Sequence, residues 1–352
     1  MEAERTRTRE EEPKMKLYGG IDLHSNNSMI ALLDEQDQVV YRRRVPNDLA
    51  TILGELAPYQ GAIEGVVVES TYNWYWLVDG LMAAGYRVHL ANTAAIVQYA
   101  GLKYTDDDSD ARWLAKLLRL KLLPEGYIYP KAERAVRDLL RKRGQLVRQR
   151  TSNLLAVQNL LARNRGESLS ANAVKRLSSE TVDQLLSEPY LALAVNSNLG
   201  VINALDEQIT VLEKTIKAHI KPSATFQFLL SVSGIGDILG LTILLETGEI
   251  RRFASVGQYA SYCRCVGSER ISNGKRKGRG NRKNGNRYLA WAYVEAAHFA
   301  VRYNAQIKRY YQRKCSRSNT VVAIKTVAHK LARACYYILR DQVPFDVNKA
   351  FA

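Results

Sequence analysis

The chain has no uninterrupted apolar run of about 18 residues, the length a membrane-crossing helix needs, so a membrane is not among its expected partners. Its first fourteen residues, MEAERTRTREEEPK, are charged and lack the apolar core of a secretory signal. They read as a disordered tail, with Met15 an equally good start. Cysteine is scarce: four in 352 residues make no disulfide framework. Cys263 and Cys265 are spaced C-x-C, one residue tighter than the usual zinc pair, and no second pair follows. They read as small buried thiols in a reducing cytosol. His298 and His329 lie on helical patterns far from that pair and read as core or surface residues. Acids are also missing from one long stretch, with none between Glu269 and Glu295.

What the chain has in excess is positive charge. Lys and Arg outnumber Asp and Glu by 51 to 35, a net +16, which points to a polyanionic partner. The acid-free stretch concentrates it: ERISNGKRKGRGNRKNGNRY, residues 269–288, holds eight basic residues, four Asn and four Gly. This reads as a phosphate-gripping loop between two helices, with Lys275, Arg276, Lys277, Arg279, Arg282, Lys283 and Arg287 as nucleic-acid contacts. Most of them would only hold a strand, in a loop ordered on binding. An apolar content of 46% and a charged content of 24% are ordinary for a globular protein, and the length allows two or three domains.

From Lys16 to Leu120 the hydrophobic period changes repeatedly. KLYGGIDLH, SMIALLD and QVVYRRRV, separated by turn residues, predict an antiparallel meander. NDLATILGEL opens with an N-cap signal and reads as a helix. AIEGVVVES predicts a buried strand, NWYWLVDGLMAAG a helix closed by Gly85, and YRVHLA a short strand. NTAAIVQYA and SDARWLAKLLRL both read as helices. The order βββαβαβα, with acids ending the first and fourth strands, matches a ribonuclease-H-like α/β layer.

The middle of the chain is helical. Leu140, Val147, Leu154 and Leu161 recur every seven residues, and Ile202, Leu205, Ile209, Leu212 and Ile216 follow a 3-4 spacing. Either the two stripes pair within one chain, or they form a dimerisation arm with Asn153 fixing register. Arg141, Lys142, Arg143, Arg148 and Arg150 give the first stripe an outer face that can lie along nucleic acid. Beyond Thr225, LLSVSGIGDILGLTILLE holds two apolar segments hinged at Gly234 and Gly236. That is the pattern of a helix–hairpin–helix, whose glycines let backbone N–H groups approach a phosphate, and equally of a plain helical corner. Helices are expected over 252–264, 286–303 and 319–340.

Paired divalent cations at a phosphodiester need carboxylates converging from several elements. Asp22 ends the first strand and Glu69 the fourth, which would lie beside it. Asp107 and Asp110 are three apart at a helix start and share one face. Acids there also cap a helix and complement its dipole. Four acids between Asp106 and Asp110 exceed that need, and their repulsion calls for a cation. Asp34 and Asp79 read as surface residues; His24, two residues after Asp22, can lean over the site but reads first as a structural histidine.

The acid in GGIDLH, the glutamate after GVVV and the D-x-x-D-A at Asp107 and Asp110 together resemble the DEDD transposases of bacterial insertion sequences, a family that includes Piv-type DNA invertases. GIG at Gly234–Gly236, the apolar run ending in Glu246, Phe253 to Tyr259, Ser272 followed by Gly and basic residues, and GN-R-YL at Gly285 to Leu289 extend the resemblance over about Met15 to Arg340. It implies an α/β plus all-α architecture. Residues 15–125 would be a RuvC/ribonuclease-H-like domain and 126–222 coiled-coil helices. Residues 223–345 would be a helical transposase domain containing the helix–hairpin–helix-like segment, with 1–14 as the tail. Asp22, Glu69, Asp107 and Asp110 would hold Mg2+ or Mn2+, and Ser272 would be the nucleophile. The partners implied are donor and target DNA, a non-coding bridge RNA from the element, and further copies of the chain, as dimer or tetramer, in the bacterial cytoplasm at the nucleoid. Two departures leave alternatives: TDDDSDA lets Asp106 compete with Asp107, and the altered residues after SNG leave Ser268 beside Ser272. Two other readings compete with a recombinase: a RuvC-like junction resolvase that hydrolyses with water, and a non-catalytic nucleic-acid scaffold.

Overall fold

The computed structural model describes residues 15–96, 107–219, 223–267, 269–279 and 284–352. The chain divides into two compact units, one ending at Tyr129 and one running from Pro130 to Ala352.

In the first unit, β1 (Leu17–Leu23), β2 (Asn27–Leu33) and β3 (Val39–Pro46) form the meander. Then follow α1 (Leu49–Leu56), β4 (Ile63–Glu69), α2 (Tyr75–Ala83), β5 (Val88–Ala91) and α3 (Asp107–Arg119). Asp48 caps α1 by accepting from the Thr51 amide. The sheet order is β3-β2-β1-β4-β5. β1 pairs antiparallel with β2 and parallel with β4, and β4 pairs parallel with β5. This is a mixed α/β layer consistent with a ribonuclease-H-like domain. Of the helix expected over NTAAIVQYA, a single turn at Thr93–Ala95 is described and Ile96 after it is extended, while residues 97–100 lie outside the described residues, as do residues 1–14.

β1 is the central strand, almost wholly buried, and α3 lies directly on it. Gly20 makes that approach possible. A Cβ there would stand 2.0 Å from the Ala111 carbonyl oxygen and 2.9 Å from the Ala115 amide nitrogen. Small residues on both elements therefore bring the start of α3 to the end of β1.

The second unit opens with α4 (Lys131–Arg165), α5 (Ala171–Val174), α6 (Ser179–Leu185) and α7 (Pro189–His219). The two long stripes pair within one chain as an antiparallel hairpin. Leu154, Val157 and Leu161 share a core with Ala192, Val195, Leu199 and Ile202, and Leu140 meets Ile216 at the other end. Asn153 does not reach across; its side chain donates to the Gln149 carbonyl of its own helix. Ion pairs align the hairpin instead, Arg143 with Glu213 at 2.6 Å and Arg150 with Asp206.

The rest comprises α8 (Ala224–Leu230), α9 (Asp237–Thr247), α10 (Val256–Tyr262), β6 (Glu269–Ser272), β7 (Lys275–Arg279), α11 (Arg287–Tyr303), α12 (Ala305–Cys315), α13 (Thr320–Asp341) and α14 (Val347–Phe351). An alanine-rich core between α11 and α13 holds it together. The regions 126–222 and 223–345, expected to be separate, share this unit because Leu140 and Ile216 pack with Phe226 and Leu241. Helix α12 was not anticipated. Asn304 ends α11 and caps α12 in one residue, so the sequence has no loop to mark the break. Among the described residues no helix is long and apolar enough to cross a membrane.

Candidate active site

The β1–β4 register pairs Ile21 with Val68, so Asp22 and Glu69 stand side by side at the ends of neighbouring strands. Asp22 is buried and Glu69 half-buried. Burial, a hydrogen bond with Asp22, and the charges of Asp22 and Asp110 push the Glu69 carboxyl up to about 8. Three of the expected acids thus act on one another at the sheet's carboxyl end. Asp107 joins through His24, whose Nε2 is 3.2 Å from an Asp22 oxygen and 3.2 Å from an Asp107 oxygen. Ligand-capable atoms of Asp22, His24 and Asp107 all lie within 4.8 Å of one another.

The repulsion expected among the acids of α3 is met by arginines. Arg44 of β3 pairs with Asp107 and holds its carboxyl below the usual carboxylate range, with His24 adding to the effect. Asp108 takes Arg42 at 3.2 Å and Arg112 at 3.0 Å. Repulsion therefore does not by itself call for a cation. The demand comes from the Asp22–Glu69 pair, beside which His24 Nε2 stands close to two carboxylates. An imidazole nitrogen and several carboxylate oxygens are hard and borderline donors that suit a divalent cation, so the residues present fit one. His24, which its place two residues after Asp22 allows either over the site or as a structural histidine, stands beside both Asp22 and Asp107. Asp106 lies outside the described residues.

Ser272 belongs to the second unit, where the expected loop is in part a hairpin. β6 and β7 pair antiparallel, Ser272 opposite Lys275 and Ile271 opposite Arg276. Asn273 and Gly274 have φ of +49° and +68°, the conformation of a two-residue I′ turn, for which Asn-Gly is the strongest sequence signal. That signal was present in SNGK and was read only as loop. Ser272 is exposed at the tip, with Lys275 across from it and Arg276 tied to Glu269 at 3.1 Å. Lys277 is exposed on β7, where Arg279 ends the strand, and Arg287 is exposed at the start of α11. Ser268, Arg282 and Lys283 lie outside the described residues.

A model of the DEDD transposase family of IS110 type matches residues 19–164, and one of the transposase family IS116/IS110/IS902 matches residues 226–312. The chain belongs to the IS110-type DEDD transposase family. Relatives run the length of it. A "Probable family 20 transposase" of Pseudomonas aeruginosa is 26% identical over 91% of this chain and 96% of its own. The transposase for insertion sequence element IS1111A of Coxiella burnetii is 23% identical over 81% of this chain and 78% of its own. That for IS1328 of Yersinia enterocolitica is 22% identical over 93% and 98%. The first family model spans all four acids, and the second spans Ser272.

Two other expectations of an IS110-type chain change against the structure. Gly234 has a φ of +92°, and a Cβ there would meet the Ala296 carbonyl oxygen of α11 at 2.3 Å. Its bare backbone serves helix packing rather than approach to a phosphate. Gly236 caps α9 with open space around it, but Asp237 follows in the first turn and pairs with Lys217 at 3.0 Å. An acid already complements that helix end. Of the five cations expected to line α4, Arg141, Arg143 and Arg150 are held by Glu246, Glu213 and Asp206, which leaves Lys142 and Arg148 exposed.

Proposed function

We propose that this chain is the recombinase of an insertion sequence, cutting and rejoining DNA strands with a divalent cation held by Asp22, Glu69, Asp107 and Asp110 and with Ser272 as nucleophile. The observation that carries the reading is the Asp22–Glu69 pair. Two carboxyls at adjacent strand ends, with Glu69 pushed up to about 8 by burial and its acidic neighbours, form a site that a cation relieves. Mg2+ or Mn2+, when bound, supplies positive charge to the scissile phosphate. Asp22 and Glu69 would hold it from the sheet, Asp110 from α3, and Asp107 on release from Arg44, with His24 as a fifth donor. The first unit would then be RuvC-like.

Ser272 has no histidine near it in sequence, and a serine hydroxyl needs help to react. Its part would be to attack the phosphorus: the Oγ–P bond forms and one P–O ester bond breaks. The serine proton passes to water, and the departing strand takes up a proton as a free hydroxyl. A hydroxyl of another strand then reverses the step, so the bond energy is kept without ATP. Lys275, Arg276 and Lys277 neutralise charge on the phosphate. Resemblance to the family supports a composite site built from more than one copy, a bridge RNA that selects donor and target, and work at the bacterial nucleoid.

The deciding experiment is Ser272→Ala. It is expected to form no covalent protein–DNA adduct and to recombine no plasmid. Adduct and recombinants from that variant would sink the serine role, and nicking without strand transfer would favour a water-using resolvase. A purified chain that carries no discrete RNA, and whose cleavage ignores the element's flanking transcripts, would overturn RNA guidance.

A further inference from the structure

A cavity of about 400 Å³ opens between α4, α9 and α11 in the second unit, within the roughly 300–1,000 Å³ usual for ligand pockets. Its walls combine cations with rings. Arg148 comes from α4, and Arg287, Tyr288 and Trp291 from the first turns of α11. A second opening lined by Arg148, Arg287 and Tyr288 together with Lys142 adjoins it. Arg148 and Arg287 have no acidic partner among the described residues, in contrast to Arg143 and Arg150 on the same α4 helix.

The one acid lining the larger cavity is already neutralised, and Asp138 of the adjoining opening lies 3.8 Å from Arg141. Glu246 is buried and receives both arms of Arg141, at 2.6 and 2.8 Å, and the Asn286 amide at 2.7 Å. That clamp fixes the Arg141 guanidinium 4.5 Å from the centre of the Tyr288 ring, which orients the tyrosine at the rim. Trp291, more than a third exposed, remains uncovered as a flat apolar face beside Arg148 and Arg287, the latter donating to the Tyr288 hydroxyl at 2.8 Å.

The floor gives an independent indication. Gly144 lines the cavity from the middle of a 35-residue helix, where glycine is destabilising relative to alanine. Among the described residues, a Cβ there would meet only the Arg148 guanidinium, at 3.6 Å, an ordinary contact. A glycine with no packing reason inside the protein keeps the floor clear for something outside it.

Resting on the nucleic-acid reading above, we infer that this cavity binds a single unpaired nucleotide of a strand, its base stacked on Trp291 and its phosphate held by Arg148 and Arg287. Stacking on an aromatic face between basic groups is the usual chemistry for unpaired bases and tolerates any of them. Duplex DNA, whose bases are already stacked, offers nothing to Trp291.

The test uses Trp291 as its own probe. The other tryptophans, Trp74, Trp76 and Trp113, lie before Tyr129, and Trp291→Phe isolates its signal. Oligo(dT) and oligo(U) about eight nucleotides long are titrated into the whole chain, with an abasic oligomer as control. Saturable quenching by the first two, but not by the abasic strand, is expected. Quenching by oligo(U) alone assigns the pocket to RNA, and by oligo(dT) alone to DNA. Trp291→Phe and Gly144→Leu should each weaken binding roughly five- to hundredfold, Gly144→Leu without lowering Tm. Equal quenching by the abasic strand, no quenching by any oligomer, or unchanged binding by Gly144→Leu overturns the inference. Strand transfer by a wild-type chain whose Trp291 stays silent sinks the pocket alone. A responsive Trp291 without strand transfer sinks the recombinase reading alone.

Discussion

Gly20 stands two residues before Asp22, and its missing side chain decides how closely α3 can lie on β1. Adding one methyl would place carbon 2.0 Å from a backbone oxygen of Ala111, and backbone cannot yield as a side-chain tip can. Gly20→Ala should therefore cost about 1–3 kcal/mol or more, read as a lower Tm, and should shift the start of α3. Loss of Mn2+ binding by calorimetry would accompany it. Unchanged Tm and binding would show that α3 is not positioned this way. Glu69 sets the pH response of the same site. Its folded value of about 8 lies above the usual 4.5, so the metal-free folded state keeps a proton that the unfolded chain has released. Stability of the metal-free protein then falls as pH rises from 4.5 to about 8 and levels beyond. A bound divalent cation displaces that proton, so the gain in Tm from Mg2+ should be larger at about pH 8.5 than at about pH 6. Glu69→Gln should abolish the difference. An equal gain at both pH values in the wild-type chain would count against Glu69 as a ligand.

At the scale of elements, the β6–β7 hairpin makes the sharpest case. Asn273 and Gly274 both take positive φ, which valine cannot do without strain. Gly274→Val should splay the strands and move Ser272 away from Lys275. Because the surrounding side chains are exposed, Tm should change little while adduct formation is lost. Adduct formed at the wild-type rate would mean that Ser272 needs no hairpin. The meander, both long stripes and three of the C-terminal helices were legible because each is a run of one period bounded by turn residues. The hairpin was hidden by its own composition, since a lysine- and arginine-rich strand with no apolar alternation has no period to read. The acid pair was legible from strand ends alone, as both acids terminate apolar runs. Arg42 and Arg44 were not. They stabilise Asp108 and Asp107 from β3 across more than sixty residues of sequence, and long-range ion pairs leave no local pattern.

At the scale of the whole molecule, the two units divide the charge unequally. Residues up to Tyr129 hold 14 Lys and Arg against 19 Asp and Glu, whereas those from Pro130 onward hold 37 against 16. The net +16 of the chain is thus the sum of an acidic first unit, which suits cations, and a strongly basic second unit, which suits phosphates. Not every cation of the second unit is available. Arg143 and Arg150 align the α4–α7 hairpin through Glu213 and Asp206, whereas Lys275 and Lys277 are exposed on β7. The two groups should separate in a salt titration. Each phosphate contact contributes about −0.9 to the log–log slope of duplex binding against salt. Neutralising Lys275 and Lys277 together should make that slope shallower by up to about 1.8, with little change in Tm. Neutralising Arg143 and Arg150 should leave the slope unchanged and lower Tm, since Glu213 loses its arginine and Asp206 keeps only Lys175. A slope that responds to Arg143 and Arg150 but not to the β7 cations would place the DNA along α4 and remove the hairpin from the interface.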